Sequence, residues 1–201
     1  TVHLDKVKAE QFVLPIGKKK THVIGINPSQ ITTEDLAVSL QPAANYVPTD
    51  GYSKVAAVER HHNTGKIGVA VAKGYGIRNG AVASSVSHDS HNIIVIGDND
   101  RDMALAVDEI IRTQGGYTVV ENGEVFETLP LPIMGLMSDA GFESVNETLG
   151  RMIKKAHEMG VPADIEPFIT LSFLALPVIP TLRITPRGLC LLTAKGPEIL
   201  Q

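Results

Sequence analysis

Four of the seven histidines fall in two short polar runs. The first is Glu59-Arg60-His61-His62-Asn63, and the second is Ser87-His88-Asp89-Ser90-His91-Asn92, with Ser85 just ahead of it. An imidazole titrates near neutral pH and is also a common metal ligand, so such runs can shuttle protons, bind metal or contact a substrate. The same residue types also suit a hydrogen-bonded polar layer at strand ends, or an interface. If the first run continues a strand, Glu59 and His61 share one face and Arg60 and His62 the other. In the second, a strand would align His88, Ser90 and Asn92, whereas a turn would let His88 and His91 converge.

Several other chemistries lack their residues. There is no His-x-His and no His-Glu-x-x-His. The zinc deaminase signature needs Pro-Cys-x-x-Cys, and Cys190 is the only cysteine. That also excludes an intrachain disulfide and a cysteine zinc site, and it suits a reducing, cytoplasmic setting. No P-loop and no Gly-x-Ser-x-Gly elbow occur, and Gly74-Tyr75-Gly76 with Gly80 does not complete a dinucleotide fingerprint. Asp98-Asn99-Asp100-Arg101-Asp102 lacks the glycine and distal Glu of a calcium loop and reads as helix capping. A net charge of −4 gives no basic footprint for a nucleic-acid partner, and Lys18-Lys19-Lys20 follows Pro15 and Gly17 as a solvated turn. No membrane partner is expected. Phe168–Ile179 is apolar but interrupted by Pro177, and it falls short of the roughly 20 residues that span a bilayer.

The elements that must position these residues follow from periodicity. The chain has 201 residues, 43% hydrophobic and 20% charged, enough for one core built mostly from aliphatic side chains, since aromatics are 4%. Strands are expected at Gln11–Pro15, His22–Ile26, Leu36–Leu40, Lys54–His62, Ile67–Ala72, Ala81–Val86 and Ile93–Ile96, with a loop over 42–53. Met103, Ala106, Val107, Ile110 and Ile111 line one face of a helix over Asp100–Thr113, capped by Asp98, Asn99 or Asp100 and ended by Gly115-Gly116. A second helix carries Val145, Leu149, Met152, Ile153 and Ala156. Ser144 with Glu147 would form its capping box unless Ser138 caps an earlier start, and Gly160 and Pro162 would stop it. Asn122-Gly123 between Tyr117–Glu121 and Glu124–Thr128 marks a hairpin. After Pro167 a third apolar segment reads as a short buried helix or an irregular crossing. Strands mainly in the first half, with two or three helices inserted later, give an α+β fold with a mixed β-sheet. It is one domain over 1–201, with two lobes near 1–53 and 54–201 as an option.

Four segments resemble one family. They are Val58-Glu59-Arg60-His61-His62-Asn63-Thr64-Gly65, the run from Gly80 through Ser84-Ser85 and Ser87-His88-Asp89-Ser90-His91-Asn92 to Ile94, Leu129–Ser138, and Pro167–Pro180. Together they resemble the C-terminal domain of bacterial and archaeal adenine deaminases, which are amidohydrolases. The stretch Cys190–Gln201 departs from that family's usual ending. Thr1–Asp5 opens without an initiator methionine, as expected of a domain from a larger protein.

The resemblance implies a role in hydrolysing adenine to hypoxanthine and ammonia. It implies a two-metal centre, manganese or iron, on a separate (β/α)8 barrel whose ligands begin with His-x-His. This chain has no such motif, so no metal ligand and no cofactor is expected within it. The expected partners are that barrel, adenine through the whole enzyme, and further copies in a homo-oligomer. Glu59, Arg60, His61, His62, Ser85, His88, Asp89, His91 and Asn92 are then candidates for lining or supporting the adenine pocket. The competing expectations are a structural or oligomerisation module, and an autonomous metal enzyme built on the histidines.

Overall fold

The computed structural model describes residues 1–49 and 51–200. Asp50, inside the expected loop over 42–53, and the terminal Gln201 lie outside the described residues. The fold is α+β. Eight strands form one mixed sheet: β1 (Thr21–Ile26), β2 (Thr33–Val38), β3 (Tyr52–Val58), β4 (Ile67–Lys73), β5 (Gly80–Ser84), β6 (Ile93–Gly97), β7 (Gly116–Glu121) and β8 (Glu124–Pro130). Their order is β2-β1-β4-β3-β6-β5-β7-β8. All neighbours are antiparallel except β1 and β4, which run parallel with Val23 opposite Val71. β1 and β2 therefore join the same sheet as the strands that follow residue 53. A second, three-stranded antiparallel sheet holds β9 (Leu182–Thr185), β10 (Gly188–Thr193) and β11 (Gly196–Ile199).

Both faces of the central strands are covered, which explains why β5 and β6 are buried throughout. On one face α1 (Asp100–Thr113) lays Met103, Ala106, Val107 and Ile110 against Ala56, Val58, Ala81, Ala83, Ile93 and Val95. On the other, α2 (Phe142–Glu158), α3 (Pro167–Leu174) and the small sheet place Met152, Ala156, Phe168, Leu171, Leu182 and Ile184 against Val55, Ala57, Val82, Ile94 and Ile96. Alternation along β5 sends Ala81 and Ala83 to the first cluster and Val82 to the second. Lys54 is buried in β3 and donates to Asp100 Oδ1 at 2.6 Å, Asn45 Oδ1 at 2.6 Å and the Phe12 carbonyl at 3.1 Å, tying the amino-terminal segment to the start of α1. Among the described residues no helix is long and apolar enough to cross a membrane.

Several boundaries differ from the periodic reading. Gln11–Pro15 is not a strand. Ala9–Phe12 is a 3-10 turn that buries Phe12 completely, and Ile16 makes only an isolated bridge to Ala43. Pro15 has no amide to continue a ladder there. β2 begins at Thr33, earlier than Leu36, because the buried Thr33 hydroxyl donates to the Leu182 carbonyl at 2.8 Å and accepts from the Leu182 amide. β3 ends at Val58, and β5 ends at Ser84. α2 begins at Phe142 with Gly141 as its N-cap, so Ser144 lies inside the helix and forms no capping box with Glu147. Asn99 is the cap of α1, its side chain accepting from the Asp102 amide at 2.8 Å. The apolar segment after Pro167 is the short helix α3, with proline in its first turn.

Candidate functional site

One end of the large sheet gathers the two histidine runs. Antiparallel register places Val58 opposite Ile93 and Ser84 opposite Ile94, so the β3–β4 and β5–β6 connections leave from the same end. β7 starts at that end and β8 finishes there, with Gly116 opposite Pro130. The segment after β8, Leu131 to Met137, therefore folds over the same edge.

The first run is organised by Glu59. Its Oε1 accepts from the amides of His61 at 2.6 Å and His62 at 2.9 Å. Its Oε2 accepts from the Thr64 amide at 3.1 Å and hydroxyl at 3.0 Å. Burial alone would raise the pKa of this carboxyl, but hydrogen bonds from Thr64, His61 and His62 outweigh it and hold the value at about 2. These bonds curl the chain out of the ladder after Val58. The strand alternation expected across Glu59–His62 is thus replaced by a turn, and Glu59 acts through its neighbours' backbone.

Arg60 points inward and is 2% exposed. Among the described residues no carboxylate meets it. Its guanidinium donates to the carbonyls of Thr1 at 2.8 Å, Met134 at 3.0 Å and His91. Burial lowers its pKa. Arg60 thereby clamps three remote segments together, and the fit leaves no room beside it. A Cβ at Gly135, which sits at φ +73°, would lie 2.8 Å from its Nη1. Ser85 completes this wall, donating to the Gly135 carbonyl at 2.6 Å and accepting from the Gly116 amide at 2.8 Å.

The second run is a turn, so His88 and His91 converge, with ring centroids 5.9 Å apart. The His88 amide donates to the Ser172 carbonyl at 3.0 Å, and its ring packs on Phe173 of α3 at 5.0 Å. His91 adopts φ 50°, and its amide donates to the Ser87 carbonyl at 2.6 Å. His61 joins from the first run, with Nε2–H donating to the Ser90 carbonyl at 2.7 Å. Asn92 links the runs by accepting from the Arg60 amide at 3.2 Å and donating to Ser90 Oγ at 3.1 Å. Burial, then the neighbouring His88 and Arg60, lower the His91 pKa against the opposing pull of Asp89, which favours the neutral ring. Among the described residues, two buried polar atoms in this turn have no hydrogen-bond partner, Ser87 Oγ and His91 Nδ1.

Not every candidate joins the group. Asp89 is exposed, its carboxylate 3.9 Å from His88 Nδ1. His62 is exposed and lines a separate cleft toward the small sheet. Phe173, Gly135, Met134 and Thr1 complete the edge without having been expected there, since long-range sheet register brings them in, whereas Ser87 comes with its own run. Exposed Ile133, Met134 and Met137 lie beside it, and Phe142 is 78% exposed.

The donor set does not suit a metal centre. Among the described residues no group of three or more His, Cys, Asp or Glu side chains could hold an ion. Both Glu59 oxygens are engaged, and His61 Nε2 is committed to a carbonyl. A two-metal centre does not fit these residues.

The sequence was compared with known proteins. The adenine deaminase C-terminal domain family matches residues 30–195. An adenine deaminase of Desulfitobacterium hafniense (strain Y51) is 51% identical over 191 residues, covering 94% of this chain and 33% of that protein. One from Nitratidesulfovibrio vulgaris (strain DP4) is 48% identical over 192 residues, with 94% and 33% covered. Adenine deaminase 2 of Carboxydothermus hydrogenoformans is 42% identical, with 94% and 34% covered. The chain thus spans about a third of the length of the curated relatives it matches.

Proposed function

Because this chain belongs to the adenine deaminase C-terminal domain family, we propose that it is the C-terminal part of an enzyme that hydrolyses adenine to hypoxanthine and ammonia. In this reading its histidine edge closes or supports an active site carried by a preceding amidohydrolase barrel. The manganese or iron pair expected of such a barrel is held by residues outside this chain.

The observation that carries this reading is the convergence of His61, His88 and His91 at one sheet end beside two unpartnered buried atoms, Ser87 Oγ and His91 Nδ1. Unsatisfied buried polar atoms are costly, so the turn that presents these rings is held in place by the packing around it and not by these two atoms. Thr1 is fastened at the same edge by Arg60, so chain preceding it would arrive beside the histidines. Glu59 and Arg60 hold the backbone that presents these rings, and Asn92 fixes the distance between the runs.

The test is single alanine substitution of His61, His88 and His91 in the whole enzyme. At least one variant is expected to lose about tenfold or more in kcat/KM for adenine with an unchanged melting temperature, the size typical of groups that support a catalytic shell. Wild-type kinetics in all three would overturn the proposal.

A second reading, a structural module that joins subunits, is favoured by exposed Ile133, Met134, Met137 and Phe142. Sedimentation velocity checks it: concentration-dependent association supports it, and a strict monomer rejects it. A cytoplasmic setting accords with the buried free thiol of Cys190.

A further inference from the structure

On the side of the β3–β4 turn away from the clustered histidines, a cleft of about 420 Å3 opens between the large sheet and the small one. It continues into a recess of about 100 Å3 behind Asn92 and Pro177. That size suits a small organic ligand, for which pockets run from about 300 to 1,000 Å3. The walls differ in character. Pro186, Pro197 and Ile199 form a largely apolar side, while His62, Lys66 and Arg187 bring basic groups to the mouth. Among the described residues, the side chains of these three make no hydrogen bond and no ion pair. The one carboxylate in the lining, Glu59, has both oxygens occupied by the 61–64 backbone and the Thr64 hydroxyl.

The close approach of the two sheets that shapes this cleft is built into the backbone. Gly68 of β4 lies against the β9–β10 turn, where a Cβ would meet the Thr185 carbonyl at 2.0 Å. The turn carrying Arg187 is therefore held against the hairpin carrying Lys66.

We propose that this cleft binds a small organic anion with a flat apolar body. Its phosphate or carboxylate is held by Lys66 and Arg187, and its ring lies against Pro186, Pro197 and Ile199. Arg187 supplies a planar fork matched to either anion, and Lys66 supplies a point charge. His62 stands at the same mouth as a further donor. This site is separate from the histidine edge, and its occupancy does not depend on deamination.

The experiment is calorimetric titration of this chain with three probes: adenosine monophosphate, 1-naphthoate and neutral adenosine. At least one anion is expected to bind with Kd below about 1 mM at low salt, and adenosine is not. Phosphate and carboxylate recognition separate according to which anion binds more tightly. The double variant Lys66→Met, Arg187→Met keeps apolar stems at two exposed positions, and its fold is checked by circular dichroism. It is expected to bind the preferred anion about tenfold more weakly or worse. The proposal is overturned if neither anion binds at millimolar concentration, if the double variant binds the preferred anion equally well, or if adenosine binds as tightly as that anion. A loss of deaminase activity in the His61, His88 or His91 variants of the whole enzyme bears on the proposed function and leaves this result untouched.

Discussion

Replacing Glu59 by glutamine removes one charge and almost no volume, and its cost can be worked from the geometry. The carboxyl falls from an ordinary pKa of 4.5 to about 2 because four hydrogen bonds favour its ionised form more than burial disfavours it. At 1.36 kcal/mol per pKa unit this corresponds to roughly 3 kcal/mol of stability, lowered to about 2 kcal/mol by solvent at the rim of the turn. The sign follows from a depressed folded-state pKa. The contribution is complete above the unfolded value of 4.5 and is lost as pH falls through about 2. Glutamine mimics the protonated acid, keeping one acceptor for the His61 and His62 amides and turning an amide group toward Thr64. Urea denaturation of both proteins should therefore give a difference of about 2 kcal/mol near pH 7 that shrinks steadily below about pH 4.5. Other carboxyls with lowered pKa, such as Glu109 beside Arg112, titrate in both proteins and cancel from the difference. A pH-independent difference, or none at neutral pH, would refute the assignment of Glu59 as the ionised organiser of the turn.

Arg60→Met leaves the carbonyls of Thr1, His91 and Met134 without their donor. A loss of about 3 kcal/mol, or roughly 6–12 °C in melting temperature, is expected by calorimetry. Gly135→Ala places a methyl against the Arg60 guanidinium at a positive φ and should cost about 1–3 kcal/mol in the same assay. Ser87→Ala removes a buried hydroxyl with no partner. In this chain it is expected to be neutral or stabilising by up to about 1 kcal/mol, and a clear destabilisation would show that the hydroxyl is already satisfied.

The sequence was most legible where local signals agree. The spacing of Met103, Ala106, Val107 and Ile110 gave α1 its full extent, and Asn122-Gly123 gave the β7–β8 hairpin, since both depend on short-range geometry. The candidate site was legible as residue types and illegible as geometry. Glu59 follows an apolar strand, and nothing in its neighbours announces that its carboxylate will gather the next amides and end that strand. The turn that lets His88 and His91 meet was one of two open options. The contacts of Arg60 with Thr1 and Met134 join residues far apart in the chain, and only the sheet order makes them neighbours. The α2 start was misplaced because Gly141 caps it through backbone conformation alone, without a side chain to betray it.

The parallel seam between β1 and β4 carries a kinetic consequence. β1–β2, β3–β4 and β7–β8 are antiparallel pairs joined by local turns, and such hairpins form in about 1–10 μs. The seam instead brings Val23 to Val71 across the intervening β2 and β3, so its loop entropy must be met before its contacts reward it. Refolding is therefore expected to assemble the β4-β3-β6-β5-β7-β8 portion first and dock the β1–β2 hairpin afterwards. Both histidine runs belong to the early portion, which gives that end of the domain its shape while the far side of the sheet is still unpaired.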